Sequence, residues 1–297
     1  MCRHIAYLGR PVAPGELLVV PPYALHRQSW APRTQQHGTM NVDGFGLGWY
    51  ADGDEIPARY RRAGPIWADA AFADLARVIR TRALLAAVRS ATEGCAAGEH
   101  AAAPFSAGRW LFSHNGAVAG WPDKLDALAG LLPAAELLDL EARTDSALVW
   151  ALTLHRLRTG AGLGEALAAT VADVTEHTTG RLNLLLTDGR SVAATAWGDT
   201  LHHRTLLGGG LVVASEPYDD EPGWTAVPEG SLLVAGAEAL AGAEALAGAE
   251  TLAGAEAVAG AGAPNGLDAT AAALTEAGPD GPPPAPAVIV RPLPRRG

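Results

Sequence analysis

A cysteine stands directly behind the initiator methionine, in the opening Met1-Cys2-Arg3-His4-Ile5-Ala6-Tyr7-Leu8. If the methionine is removed, as a small following side chain allows, one residue carries both a thiol and a free amine. An α-amine titrates at about 7.7–8.0, so near neutral pH it can take the thiol proton, directly or through one water, and return it to a leaving amine. Nucleophile and base then travel together. The competing reading is a small buried cysteine at the start of a β-strand. Both readings put Cys2 at the head of a first strand over residues 5–8, and other residues must decide between them.

Two later clusters bear on the choice. Ser113-His114-Asn115-Gly116-Ala117-Val118 follows the apolar run Trp110-Leu111-Phe112 and reads as a strand delivering an Asn-Gly turn. An asparagine amide followed by a glycine N–H supplies two neutral donors that can converge on one oxygen, the requirement of a tetrahedral oxyanion. The alternative is an ordinary hairpin turn. In Ala87-Val88-Arg89-Ser90-Ala91-Thr92-Glu93-Gly94, an arginine leaves an apolar segment and meets small polar residues before a glycine. There it can fork onto a carboxylate or make a surface ion pair.

In this chain order, Cys2, the Arg89 segment, Asn115-Gly116 and Thr144-Asp145-Ser146 resemble the class II glutamine amidotransferase branch of the N-terminal-nucleophile hydrolases. The resemblance implies a four-layer αββα sandwich of the α+β class and a role for each residue. Cys2 is the nucleophile, and the Asn115 side chain and Gly116 backbone form the oxyanion hole. Arg89 holds the α-carboxylate of a glutamyl group and Asp145 its α-ammonium. One departure is that these enzymes usually carry Trp and His where this chain has Ser90 and Glu93.

Longer segments narrow the resemblance. Arg27-Gln28-Ser29-Trp30-Ala31-Pro32, Asn41-Val42-Asp43-Gly44-Phe45-Gly46-Leu47-Gly48-Trp49-Tyr50, Pro65-Ile66-Trp67-Ala68-Asp69, Arg181-Leu182-Asn183 with the strand that follows, and Ala214-Ser215-Glu216-Pro217-Tyr218 look like the actinobacterial amidohydrolases of ergothioneine biosynthesis. That family implies hydrolysis of a linear γ-glutamyl amide, γ-glutamyl-hercynylcysteine S-oxide, with no cofactor. Two other functions compete with it. One is a glutaminase subunit feeding ammonia to a separate synthase. The other is a non-enzymatic role in which Cys2 is structural and the alanine-rich tail is an interaction segment.

Composition agrees with a soluble cytoplasmic enzyme, and the small-molecule γ-glutamyl substrate is what the resemblance implies. The 297 residues are 48% hydrophobic, yet no eighteen-residue apolar stretch suggests a membrane span and no basic, apolar-cored leader marks secretion. Cys2 and Cys95 are too few for a disulfide framework and have no metal-ligand spacing, so both are expected as free thiols. A net charge of −10 with no offsetting basic stripe argues against nucleic acid. The oligomeric state stays open. Gly44-Phe45-Gly46-Leu47-Gly48 lacks the spacing of a dinucleotide loop and reads as close backbone packing. His202 and His203 point to opposite faces of a strand, which disfavours a metal there. The eight tryptophans serve core packing or the trimethylammonium of a hercynyl group.

Strands are expected at residues 5–8, 45–50, 84–88, 110–113, 182–187, 192–197 and 211–214, and helices at 122–132, 139–157 and 163–175. The Asp188-Gly189 turn makes the clearest hairpin. A catalytic domain over 1–234 gives way at 235–286 to Ala-Gly-Ala-Glu-Ala-Leu hexads and proline-rich sequence. A six-residue period turns a helix through 600°, so no apolar stripe forms, and a cut over residues 236–262 should be tolerated. Residues 287–297 are expected to return as a final strand.

Overall fold

The computed structural model describes residues 2–239 and 286–294. Two antiparallel sheets stack face to face. The first runs in the order β11 (Thr225–Ala226), β9 (His202–Leu206), β10 (Gly210–Ala214), β1 (Arg3–Val12), β4 (Thr81–Val88), β2 (Phe45–Trp49) and β3 (Ala58–Arg62). The second runs β13 (Val288–Pro292), β12 (Ser231–Gly236), β8 (Ser191–Ala196), β7 (Gly180–Thr187), β6 (Trp110–Val118) and β5 (Phe105–Ala107).

Alternation along the strands sorts the apolar residues into three cores. In β1, Ile5 and Tyr7 face outward onto α1 (Pro14–Leu18), α2 (Leu25–Gln28) and α3 (Ala70–Val78), sharing a cluster with Leu17, Leu25 and Phe72. Ala6 faces inward, where Leu85, Leu111, Leu185, Ala194, Val213 and Leu233 from both sheets meet. On the far side, Leu182, Leu184 and Leu186 of β7 pack against α6 (Asp145–Arg158) and α7 (Leu163–His177). The result is a four-layer αββα sandwich, the fold that the resemblance implied. Alanines at 6, 83, 194, 196 and 235 fill much of the inter-sheet layer, and small side chains let two twisted sheets approach closely. Short helices α4 (Asp126–Ala129) and α5 (Ala134–Leu138) connect β6 to α6.

Several sequence expectations need correction. Asn115-Gly116 is not a turn. Both residues lie inside β6, with Asn115 opposite Asn183 and Gly116 opposite Leu182 of β7. Gly116 serves close approach instead, because a Cβ there would collide with the Arg181 carbonyl. The helix expected at 122–132 shrinks to the single turn of α4, and the one expected from 139 begins at Asp145, where the Thr144 hydroxyl accepts the Ala147 N–H at 3.1 Å. That cap is the stronger start signal. Strands β3 and β12 and helix α3 were not foreseen. The β7–β8 hairpin at Asp188-Gly189 is as expected.

β13 returns to pair with β12 from Ser231↔Pro292 to Ala235↔Val288. Most of the hexad segment lies outside the described residues. Its first residues are not idle, however. The Glu238 carboxylate accepts the N–H groups of Leu163 and Gly164, both at 2.9 Å, and so caps α7, which has no side-chain cap of its own. A cut over residues 236–262 would therefore take away this cap along with the hexads.

Candidate active site

The site forms where the first strand of one sheet meets β6 of the other. Arg3 pairs with Val88, so the two chains leave their strands side by side, with Cys2 beside Arg89. The Cys2 Sγ lies 4.0 Å from the Ser90 carbonyl. Cys2 is partly accessible, and both cysteines are unpaired. Burial of the sulfur pushes its thiol up, while the Arg89 guanidinium opposes that rise. A thiol held protonated in this way needs a base beside it before it can attack.

Asn115 reaches the same point from β6. Its Nδ2 donates to Ser215 Oγ at 3.4 Å, and Ser215 Oγ also accepts the His4 backbone N–H at 3.0 Å. Ser215 thus ties the start of β1 to β6. The long bond at 3.4 Å leaves a second Nδ2 hydrogen for an incoming oxygen. Behind it, His114 Nε2 donates to the Arg181 carbonyl at 2.8 Å, and its Nδ1 faces Ser146 Oγ at 3.0 Å. These bonds fix β6 against β7 and against the start of α6.

Arg89 is not a surface ion pair. It is buried, and its Nη atoms donate to the carbonyls of Asp43 at 3.3 Å and Ala96 at 2.8 Å. Asp145 opens α6, where a carboxylate also benefits from the helix dipole. Its Oδ2 accepts the Val118 N–H at 3.0 Å and its Oδ1 the Ser146 N–H at 2.8 Å. Between the two charges lies Cys95, whose Sγ donates to Asp145 Oδ1 at 3.5 Å. Burial, with Asp145 beside it, pushes the Cys95 thiol up to about 11, which keeps it a donor rather than a second nucleophile. The sequence offered no signal for this thiol, since a lone cysteine between alanines and glycines has no recognisable spacing.

The five residues singled out from the sequence are joined by short links: Cys2 lies beside Arg89, Asp145 accepts the Val118 N–H of β6, and Asn115, followed by Gly116, reaches Ser215, which also binds the His4 N–H. Ser215 and Cys95 were missed as members. A groove of about 490 Å³ adjoins them, bordered by Thr92, the β6 end from Ala117 to Trp121, and Thr179 to Arg181. Next to Cys2, Arg3 is fully buried with its Nε 3.9 Å from Glu216, and Glu216 also accepts the backbone N–H groups of Arg33 and Thr34. Among the described residues there is no group of three or more His, Cys, Asp or Glu placed to hold a metal ion, and no helix long and apolar enough to cross a membrane.

Residues 22–207 match the family model of the class II glutamine amidotransferases, and the chain belongs to that family. Its fold is shared with a glutamine amidotransferase class II domain protein from Silicibacter pomeroyi, at a TM-score of 0.58 and 25% identity over 80% of this chain and 96% of that one. The phosphoribosylpyrophosphate amidotransferase of Bacillus subtilis superposes at 0.57 and 16% identity, covering 80% of this chain and 48% of that one. Nearer in sequence is the γ-glutamyl-hercynylcysteine sulfoxide hydrolase of Mycolicibacterium smegmatis, 46% identical over 236 residues, which are 78% of this chain and 95% of the relative. The hydrolase of the same name from Mycobacterium tuberculosis is 43% identical over 237 residues, 78% of this chain and 92% of its own length.

Proposed function

We propose that this chain hydrolyses the γ-glutamyl amide of γ-glutamyl-hercynylcysteine S-oxide, releasing glutamate and hercynylcysteine S-oxide. The observation that supports the mechanism is that Cys2 lies beside the buried Arg89 and is linked through His4 and Ser215 to Asn115, while Asp145 binds the strand that carries Asn115-Gly116. The near-full-length identity to the mycobacterial hydrolases supports the choice of substrate.

With the methionine removed, the Cys2 α-amine takes the thiol proton and Sγ attacks the γ-carbonyl carbon. The oxygen that becomes negative is received by Asn115 Nδ2 and the Gly116 N–H, donors that need no reorganisation during the step. Collapse breaks the C–N bond, and the departing amine carries off the proton held by the α-amine. The glutamyl group stays on Cys2 as a thioester while Arg89 and Asp145 hold its α-carboxylate and α-ammonium. Water, deprotonated by the same amine, then cleaves the thioester and restores the thiol. The α-amine accepts and returns one proton in each half of the reaction, from thiol to leaving amine and then from water to thiolate, so protons balance over the cycle.

The test is parallel kinetics on γ-glutamyl-hercynylcysteine S-oxide, γ-glutamylcysteine and glutamine, with intact mass of the active enzyme. Contacts to a remote leaving half align the scissile amide, so the full substrate is expected to turn over fastest and glutamine slowest. The mass should begin at Cys2, and Cys2→Ala should abolish turnover without unfolding the chain. Glutamine as the best substrate, or a rate that rises only with an added synthase, would install the ammonia-donor reading instead.

A further inference from the structure

We propose that Arg181 holds the α-carboxylate of the amino acid whose nitrogen leaves, and so makes the enzyme selective for γ-glutamyl peptides over glutamine. The assignment rests on the γ-glutamyl amidohydrolase reading given above and names the residue behind its choice of substrate.

Four observations lead to Arg181. First, its backbone packs directly against the strand that carries Asn115 and Gly116. Arg181 lies opposite Ala117 in the β6–β7 ladder, its carbonyl accepts His114 Nε2–H at 2.8 Å, and it is the atom a Cβ on Gly116 would strike. A side chain from this position lies within a residue or two of the oxyanion donors. Second, Arg181 is the one charged side chain among the residues that border the groove; the others are small, apolar or hydroxylated apart from Trp121. Third, its guanidinium is only partly spent. Nε lies 3.4 Å from Asp199 Oδ2, the carboxylate being 1% exposed and the arginine 29%, and no side-chain hydrogen bond from Arg181 is formed among the described residues. Asp199 anchors one edge of the guanidinium and leaves the fork free, the planar arrangement that fits a carboxylate. Fourth, a protein of net charge −10 has little general attraction for an anionic leaving half, so a single cation at the groove supplies local selectivity.

The substrate chemistry fits. In a γ-glutamyl-cysteine derivative the nitrogen that leaves is bonded to a carbon that also carries a carboxylate, two bonds from the scissile amide. Glutamine releases ammonia and has nothing there. Arg89 and Asp145 recognise the glutamyl half, which both substrates share, and so cannot distinguish them.

The experiment compares γ-glutamyl-hercynylcysteine S-oxide with its analogue lacking the cysteinyl carboxylate, the hercynyl group being kept on both, in wild type, Arg181→Lys and Arg181→Met. In wild type, loss of the carboxylate should lower kcat/KM roughly 10- to 100-fold, the range of a charge-assisted hydrogen-bonded pair. In Arg181→Met the two substrates should be cleaved at similar rates, and Arg181→Lys should recover part of the discrimination. Because the readout is a ratio on one enzyme, a general loss of active protein cancels. The double variant Arg181→Met with Asp199→Asn removes the buried charge that the single variant strands, and it should show the same flat ratio.

An unchanged ratio in Arg181→Met would overturn the assignment and leave the hydrolase reading standing. So would a selective loss against a substrate lacking the glutamyl carboxylate, which would move Arg181 to the other half. Wild-type preference for glutamine would instead overturn the hydrolase reading itself.

Discussion

The family resemblance gives Arg89 and Asp145 matching roles at the glutamyl group, but the two are held differently. Arg89 is tied to two loop carbonyls, so its charge is oriented but not neutralised, and Asp145 is held by two backbone N–H groups and a thiol. Arg89→Lys removes the fork while keeping the charge, and Asp145→Asn keeps an acceptor for the Val118 N–H while losing the charge. Each should raise the barrier by roughly 1–3 kcal/mol, seen as a fall in kcat/KM for substrates with a free glutamyl amine. N-acetylating that amine should cost wild type a similar factor and Asp145→Asn much less. Equal losses in both enzymes would remove Asp145 from ammonium recognition. His4 predicts a pH effect on stability. Burial holds its imidazole well below 6.5, with His114 and Arg3 adding to the shift. The unfolded chain takes up a proton below about 6.5 and the folded chain does not, so stability is full above that pH and falls on acidification. Between pH 7.5 and 5.5 the loss from this one group should be on the order of 1 kcal/mol. Urea unfolding at the two pH values checks it, and His4→Asn should flatten the difference.

β6 is the element on which the site depends most. It carries Asn115 and Gly116, and its neighbour β7 carries Arg181, so pairing register and catalytic geometry are one property. Gly116→Ala drives a methyl group into the Arg181 carbonyl and toward the His114 ring. That should lower unfolding stability by roughly 2–3 kcal/mol and, with the roles proposed for Asn115, Gly116, Arg89 and Asp145, lower kcat more than it raises KM, because the proposed oxyanion donors would move while the proposed glutamyl clamp stays in place. Calorimetry with steady-state kinetics would show it; a stable variant with unchanged kcat would mean that the β6–β7 spacing is not what holds the donors. α7 shows the same dependence of one element on another far along the chain. Its N-terminus begins after a glycine and is completed by Glu238, 75 residues beyond Leu163.

At the scale of the molecule, the sandwich brings the chain's start, a mid-chain strand and a helix start to one point, and its last strand closes the second sheet. Because Ala235 and Val288 are adjacent on neighbouring strands, the chain between them can be shortened without separating its ends. Replacing residues 241–284 by a short flexible linker, with Glu238 and Ala239 kept, should leave thermal stability and kcat/KM nearly unchanged, since loop closure depends weakly on length. The same replacement started at residue 236 should destabilise the protein by about 1–2 kcal/mol through the lost α7 cap. A large loss from the first cut would show that the hexads pack on the domain. By itself the sequence determined the alternation that builds both sheets, the β7–β8 hairpin, the returning last strand, and the residue types that family resemblance linked to Cys2, Arg89, Asn115, Gly116 and Asp145. Those are local patterns or chemistry carried by single side chains. The tertiary structure alone decided that Asn115-Gly116 is strand and not turn, that Cys95 and Ser215 join the site, that Glu238 caps α7 and that Arg181 faces the groove. Each of these follows from a contact between segments far apart in the chain, and no local propensity encodes where a distant partner will sit.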